Sequence, residues 1–123
     1  MFTIVGGELV YEGDDPTSVE EALDISIAKW EYIVEHYYEF DTDRYDGSFQ
    51  DGGPDTCGLC MMFFYDRDCD GCPVMEATGK PCCYDTPYNE HADATYEKEL
   101  TEETRRIARK ELDFLKSLKN KYG

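Results

Sequence analysis

Apolar residues recur every three or four positions in two long stretches of the chain, a pattern typical of amphipathic helices. The apolar positions of the first stretch are Leu23, Ile27, Trp30, Ile33, Val34 and Tyr37. Pro16 suits a first turn, and Ser18 followed by Glu21 matches a capping box, whose side chains bond to free backbone N–H groups. We therefore predict a helix over residues 17–40, with Lys29 on its exposed face.

The second periodic stretch lies near the C-terminal end. Its apolar positions are Leu100, Ile107, Leu112, Leu115, Leu118 and Tyr122, and its opposite side carries Arg105, Arg106, Arg109 and Lys110. Asp93 is a suitable N-cap, so we predict a helix over residues 93–121, although Thr101 offers a second start after a break. Two amphipathic helices of this length bury their apolar stripes most simply against each other.

Shorter patterns describe the rest of the chain. FTIV (residues 2–5) and ELVY (8–11) flank Gly6-Gly7, which predicts a hairpin over residues 1–12. Residues 41–56 read as a loop, and residues 57–92 form a cysteine region in which MMFFY (61–65) is a short strand or a buried turn. The predicted fold is a single α+β domain over 1–123: two packed main helices, an N-terminal hairpin, and a loop-rich, zinc-binding cysteine region between the helices.

The size and net charge of the chain indicate a single folded domain and limit its possible partners. The chain has 123 residues and 41% hydrophobic residues, which suits one folded domain. Its net charge at pH 7 is −16: residues 1–96 carry 22 acids against four bases, and residues 97–123 six acids against eight bases. Such a charge disfavours nucleic acid and anionic membranes as partners. The N-terminal stretch lacks a signal-peptide pattern, so we expect a cytoplasmic protein with reduced thiols.

Six cysteines supply the most specific motif of the sequence. Two C-x-x-C pairs, Cys57 with Cys60 and Cys69 with Cys72, supply the four sulfurs of one tetrahedral Zn²⁺ site. Cys83 competes with Cys69 or Cys72 as a ligand, so the identity of the four ligands stays open. We predict one structural zinc ion, with Arg67 and Lys80 as the nearest compensating charges in sequence.

Three alternatives to zinc involve the same thiols. A disulfide framework requires an oxidising compartment. An iron–sulfur cluster also uses four cysteines, but the spacing differs from common ferredoxin runs. CGLC (residues 57–60) is similar to a thioredoxin-type redox motif, which should follow a strand and begin a helix, and the preceding SFQDGGPDT does not read as a strand.

Histidine adds little to the sequence prediction. His36, in the first predicted helix, and His91, in a predicted loop, are candidate ligands or bases, but they fit ordinary surface or capping positions equally well. No set of nucleophile, base and orienting group stands out, so we expect no catalytic residues.

The arrangement of cysteines and turn residues resembles small uncharacterised proteins encoded by bacteriophages. The residues that carry the resemblance are Cys57, Cys60, Cys69, Cys72, Pro73, Thr78, Gly79, Lys80, Cys83, Thr86, Pro87 and Tyr88. It extends to the DPTSVEEAL helix start and the FLKSL segment. The resemblance implies a phage-encoded, metal-binding protein in the cytoplasm of the infected host, without a defined chemistry, and makes Cys83 the regular thiol and Cys82 the extra one.

An acidic phage protein of this kind suggests binding to a basic host protein. Carboxylates arranged like phosphates can occupy the nucleic-acid channel of a nuclease, a CRISPR effector, a restriction enzyme or an RNA polymerase. The candidate partner-binding residues are Glu35, Glu39, Asp41, Asp43, Asp46, Asp51, Asp55, Asp66, Asp68 and Asp70. We therefore predict an inhibitor that acts by protein–protein binding as a nucleic-acid mimic. The alternatives are a C-x-x-C redox protein and a nucleic-acid-binding zinc module that uses the basic C-terminal helix.

Overall fold

The computed structural model describes residues 2–40, 49–51, 56–67, 72–79, 86–96 and 98–122. These ranges contain a two-stranded sheet, five α-helices and one 3-10 helix. The elements in order are β1 (Phe2–Val5), β2 (Glu8–Tyr11), α1 (Val19–Glu35), a 3-10 helix (Tyr37–Glu39), α2 (Gly58–Arg67), α3 (Pro73–Thr78), α4 (Pro87–Thr95) and α5 (Glu102–Tyr122). The predicted α+β class is confirmed.

The N-terminal hairpin has the predicted strands and turn. β1 and β2 are antiparallel, and Val5 faces Glu8 across the turn. Gly6 and Gly7 have φ angles of 60° and 84°, which a residue with a side chain rarely adopts. The Leu9 N–H donates a hydrogen bond of 2.9 Å to the Gln50 carbonyl oxygen, so the hairpin is joined to the segment 49–51.

Helix α1 starts where the sequence predicts and ends earlier. The Ser18 hydroxyl accepts a hydrogen bond from the Glu21 N–H, and the Glu21 carboxylate accepts one from the Thr17 N–H. The α-helix ends at Glu35, because His36 leaves the helical region with φ −108° and ψ 29°. The predicted extension to residue 40 is instead a 3-10 turn, which directs Tyr37 into the core.

The predicted helix over residues 93–121 is two helices. α4 begins at Pro87, after Thr86, whose hydroxyl accepts a hydrogen bond from the Asn89 N–H, and Asp93 lies inside this helix as an exposed residue. α5 begins at Glu102, and Thr101 caps it by accepting a hydrogen bond from the Thr104 N–H. The Thr101 signal thus marks a true restart, since its side chain satisfies an otherwise free backbone donor.

The cysteine region is more helical than predicted. MMFFY lies in α2, not in a strand or turn, and α3 and α4 follow. α2 packs directly against α1. A Cβ atom added at Gly58 would lie 2.3 Å from the Ala22 carbonyl oxygen, so the close contact between the two helices requires glycine there.

The core lies where α1 packs against α5, with α2 and α4 beside them. Ala22, Leu23 and Ile33 of α1 and Ala108 of α5 have no measurable exposure. The predicted pairing of the two long amphipathic helices is therefore confirmed. Within the described parts of the chain, each helix is too short or too polar to cross a bilayer.

Candidate functional site

The cysteine pair Cys57 and Cys60 lies at the N-terminal end of α2. Cys57 directly precedes the helix, and its carbonyl oxygen accepts the hydrogen bond of 3.0 Å from the Met61 N–H that begins the helical ladder. Cys60 is in the first turn. Both cysteine residues are partly buried. The free N–H groups of a first helical turn carry partial positive charge, which stabilises an anion at this position.

Ser26 of α1 joins the thiol to the start of α2. Its Oγ lies 3.3 Å from Cys57 Sγ and accepts a hydrogen bond of 3.2 Å from the Leu59 N–H. Since the N–H of Leu59 can only donate, the hydroxyl proton of Ser26 is available to the sulfur. The buried Ser26 side chain therefore has two roles: it caps α2, and it stabilises a Cys57 thiolate.

Lys29, one turn further along α1, is a buried cation. It is 1% exposed, and its Nζ lies 3.8 Å from Asp51 Oδ1 and 5.8 Å from the ring centroid of Trp30. The hydrogen bond from the Cys60 thiol, the positive charge of Lys29 and the Ser26 hydroxyl together lower the pKa of Cys57 to about 5, against the opposing effect of burial. These groups therefore favour the thiolate form of Cys57.

A buried carboxyl group on α5 belongs to the same cluster. Glu111 is 4% exposed, and the backbone N–H of Tyr88 donates a hydrogen bond to it. Its Oε1 has no hydrogen-bond partner among the described residues. Burial, reinforced by the negative charge of Cys57, raises the pKa of Glu111 to about 8, although Lys29 acts in the opposite direction.

His91 is a core residue of α4, not part of a loop. It is 1% exposed and packs edge-on against Trp30, with ring centroids 5.6 Å apart. Its Nε2 lies 2.9 Å from the Tyr37 hydroxyl, which donates a hydrogen bond of 2.6 Å to Thr104. Burial lowers the pKa of His91 to about 4, so the ring is neutral at pH 7. His36 lies apart from this cluster, with Nδ1 2.7 Å from Glu39 Oε2.

Three of the five predicted zinc ligands fall in the described part of the chain. Cys72 is buried directly before Pro73 and α3, and Cys57 and Cys60 lie at the start of α2. Cys69 and Cys83 lie outside the described residues. In the ranges that the structure describes, there is no group of three or more Cys, His, Asp or Glu side chains arranged to hold a metal ion.

The predicted acidic binding surface is described only in part. Glu35 at the end of α1 and Glu39 in the 3-10 turn are exposed, as expected. Asp51 is a correction: it is 8% exposed and faces Lys29, so it cannot contact a partner at the surface. The side chains of the remaining candidates lie outside the description: Asp41, Asp43, Asp46, Asp55, Asp66, Asp68 and Asp70.

The basic side of α5 lies partly against acidic neighbours. Lys119 forms an ion pair with Asp24 of α1, and Lys110 Nζ lies 3.6 Å from Glu90 Oε2 of α4. Two basic side chains of the C-terminal helix are therefore paired within the chain. This pairing reduces the charge that the helix offers to a nucleic acid.

Sequence reasoning missed three residues of the site: Ser26, Lys29 and Glu111. The sequence predicts Lys29 on the exposed face of α1 and offers Arg67 and Lys80 as the nearest compensating charges for the thiols. The available signal is positional, since Ser26 and Lys29 flank the apolar stripe of α1 at helical spacing from Ile33. Polar residues at such positions become informative only when the neighbouring helices are known.

Comparisons with known proteins identified no related protein. No family model matches the chain, and neither a curated protein nor a solved structure is significantly similar to it.

Proposed function

We propose that the chain is a small thiol–disulfide redox protein whose working groups are Cys57 and Cys60. The observation that carries the proposal is the position of Cys57 at the start of α2, with Ser26 Oγ 3.3 Å from its sulfur. In thiol–disulfide exchange the thiolate attacks, and the second thiol then resolves the mixed disulfide. Cys57 suits the first role, and Cys60, one helical turn away, suits the second.

The absence of a preceding strand was the argument from sequence against a redox motif. In this fold α1 takes the place that a strand has in thioredoxin-type proteins, because it supplies both the hydroxyl of Ser26 and the charge of Lys29. The other requirement, a helix that begins at the motif, is met by α2. The proposal therefore rests on local electrostatics and not on a shared fold.

Zinc binding is a second candidate function, and the positive charge of the buried Lys29 favours it as well. Four thiolates around Zn²⁺ leave a net charge of about −2 at the site, which the buried Lys29 would partly balance. Cys57 and Cys60 would supply two ligands, and Cys72 a third after rearrangement of the loops. The fourth would come from Cys69 or Cys83.

One preparation distinguishes the two candidates. The protein is purified under reducing conditions, its zinc is measured by elemental analysis, and the metal is then removed with a chelator. The redox equilibrium of the Cys57–Cys60 pair is measured in glutathione buffers by acid trapping and peptide mass spectrometry. A redox protein should form this disulfide reversibly within the range of cellular buffers, about −180 to −300 mV.

Either result has a clear meaning. Stoichiometric zinc that protects Cys57 and Cys60 from alkylation would support the metal site and reject the redox proposal. Zinc-free protein in which Cys57 is alkylated rapidly near pH 6, and Cys57→Ser abolishes exchange, would support the redox proposal. Binding to a basic host protein stays a prediction, with Glu35 and Glu39 as the exposed carboxylates of its described part.

A further inference from the structure

We propose that the outer edge of β1 is a docking site for an extended, basic segment of a partner protein, which joins the hairpin as a third strand. The site consists of the backbone of Phe2 and Ile4 together with the exposed residue Val5. It gives the predicted basic partner a defined place to bind. It uses none of the thiols, so it does not depend on the redox function.

The register of the hairpin shows which backbone groups point outward. In an antiparallel pair, facing residues alternate between those that bond to each other and those whose N–H and C=O groups point away. The Leu9 N–H points away from β1, because it donates to the Gln50 carbonyl oxygen. Leu9 faces Ile4, so the N–H and C=O groups of Ile4 point away from β2. Those of Phe2, two residues earlier, do the same.

The two edges of the hairpin differ in what lies against them. β2 is joined to the segment 49–51, whereas no other strand of the described ranges pairs with β1. Natural edge strands are commonly blocked by lysine, proline or a bulge. β1 reads FTIV and pairs without interruption from Phe2 to Val5, so it has none of these. Val5 is also 62% exposed, and an open edge of this kind suits the addition of a strand.

The charge of the surrounding surface indicates the chemistry of the partner. Residues 2–40 contain ten Asp and Glu residues, and their one Lys or Arg is Lys29, which is 1% exposed. The surface of this part of the chain is therefore strongly negative. A segment that carries Lys or Arg is attracted to it.

Some of these carboxylates lie close to β1. Glu8 faces Val5 across the hairpin. The Phe2 ring centroid lies 6.3 Å from that of Tyr32 on α1, and Glu35, one turn further along α1, is exposed. Side chains that an added strand presents on the Phe2 face would therefore lie toward α1 and its carboxylates.

These features describe the partner segment. Successive side chains of a strand point to opposite faces of the sheet. Lys or Arg at alternate positions suits the face toward α1, and β-branched residues between them suit pairing beside Thr3 and Val5. A second copy of this chain suits the edge poorly, because each copy has a net charge of −16.

The test uses an eight-residue peptide of alternating lysine and valine, with blocked ends and a fluorescent label. Reduced full-length protein is titrated into it, and binding is followed by fluorescence anisotropy. One control peptide has glutamate in place of lysine. A second keeps the lysines but carries N-methyl groups on its four central amides, which block both edges of the strand. The protein variants are Val5→Lys and, as a control with the same charge change at an exposed position, Tyr96→Lys.

We expect the lysine–valine peptide to bind and the glutamate peptide not to bind. N-methylation should weaken binding about tenfold or more, because at least two backbone hydrogen bonds are lost. Val5→Lys should weaken it about fivefold, by loss of a cross-strand pair and by repulsion, whereas Tyr96→Lys should change it by less than about twofold.

Amide hydrogen exchange in the unmodified protein tests the register directly. Bound peptide should slow exchange of the Ile4 amide about tenfold, because this N–H gains a partner. The Val5 amide, which points toward β2, should change much less.

Several results would overturn the assignment. Absence of binding, or equal binding of the glutamate peptide, would reject the basic partner. Equal binding of the N-methylated peptide, unchanged exchange at Ile4, or equal effects of the two lysine variants would reject strand addition at this edge. A peptide-free dimer at micromolar concentration that Val5→Lys dissociates would assign the edge to a second copy instead. The exchange measurement applies even if a variant does not fold.

Discussion

Ser26 and Cys57, 31 positions apart in sequence, are joined by a contact of 3.3 Å between Oγ and Sγ. The contact connects α1 to the first turn of α2, and the same hydroxyl accepts the Leu59 N–H. One side chain therefore serves both the packing of two helices and the charge state of a thiol. Substitutions of Ser26 therefore test the packing of α1 against α2 and the pKa of Cys57 together.

Replacing Ser26 by alanine should raise the pKa of Cys57 toward that of an ordinary thiol, because a hydrogen bond to the thiolate is lost. Such a bond contributes about 1.5 kcal/mol, or about one pKa unit, so alkylation of Cys57 near pH 6 should slow about twofold. Ser18→Ala is the matched control: it removes the cap of α1, costs about 1 kcal/mol, and should leave the reactivity of Cys57 unchanged. An unchanged rate in Ser26→Ala would contradict the contact.

Gly58→Ala should destabilise the protein by about 3 kcal/mol, since the added methyl group would overlap the backbone of α1. Gly79→Ala provides the comparison, because its Cβ would meet no atom within 4 Å and only its φ of 75° is unfavourable. That change should cost about 1 kcal/mol. Urea denaturation of both variants measures the difference, and equal stabilities would show that α2 does not approach α1 this closely.

His91 should make the fold sensitive to acid. Its pKa is lowered from 6.5 to about 4 by burial, so between these values the unfolded chain binds a proton that the native state does not. The free energy of unfolding should therefore fall as pH falls through this window, by up to about 3 kcal/mol from this group. His91→Gln should weaken the dependence, whereas His36→Gln should preserve it. Chemical denaturation at a series of pH values separates the two histidines of the chain.

Adjacent tyrosines offer a second matched pair. The buried Tyr37 hydroxyl lies 2.9 Å from His91 Nε2 and donates to Thr104, so Tyr37→Phe should remove the partner of His91 Nε2 and cost about 1–3 kcal/mol. Tyr38 is 54% exposed and donates a hydrogen bond to Glu102 at the surface. Tyr38→Phe should therefore change the unfolding free energy by less than about 0.5 kcal/mol. If the two variants lost the same unfolding free energy, the buried hydrogen bonds of Tyr37 would add no stability beyond that of the surface bond of Tyr38.

Local signals in the chain were sufficient for the elements that depend on neighbours in sequence. Gly6 and Gly7 specify a turn whose positive φ angles only glycine tolerates readily, so the hairpin and its register follow. Ser18 starts α1 because its side chain bonds a backbone N–H three residues ahead. The two long apolar stripes specify the pairing of α1 and α5, since each must exclude water from the same kind of surface.

The site itself followed from none of these signals. CGLC identified Cys57 and Cys60, but the pKa of Cys57 also depends on Ser26 and Lys29, which come from another helix. Nothing in the sequence distinguishes Lys29 from an exposed lysine until Tyr88 of α4 and the segment 49–51 lie against it. Gly58 is similarly constrained by a group distant in sequence, the Ala22 carbonyl oxygen of α1.

The physical reason for this division is the range of the interactions. Turn geometry, capping and amphipathic periodicity act over a few residues, so they can be read along the chain. The charge of a thiolate and the protonation of a buried carboxyl group depend on which distant groups share a water-excluded volume with them. Only the packing of α1, α2 and α5 brings Lys29, Cys57 and Glu111 into one such volume, and there the chemistry of the chain is decided.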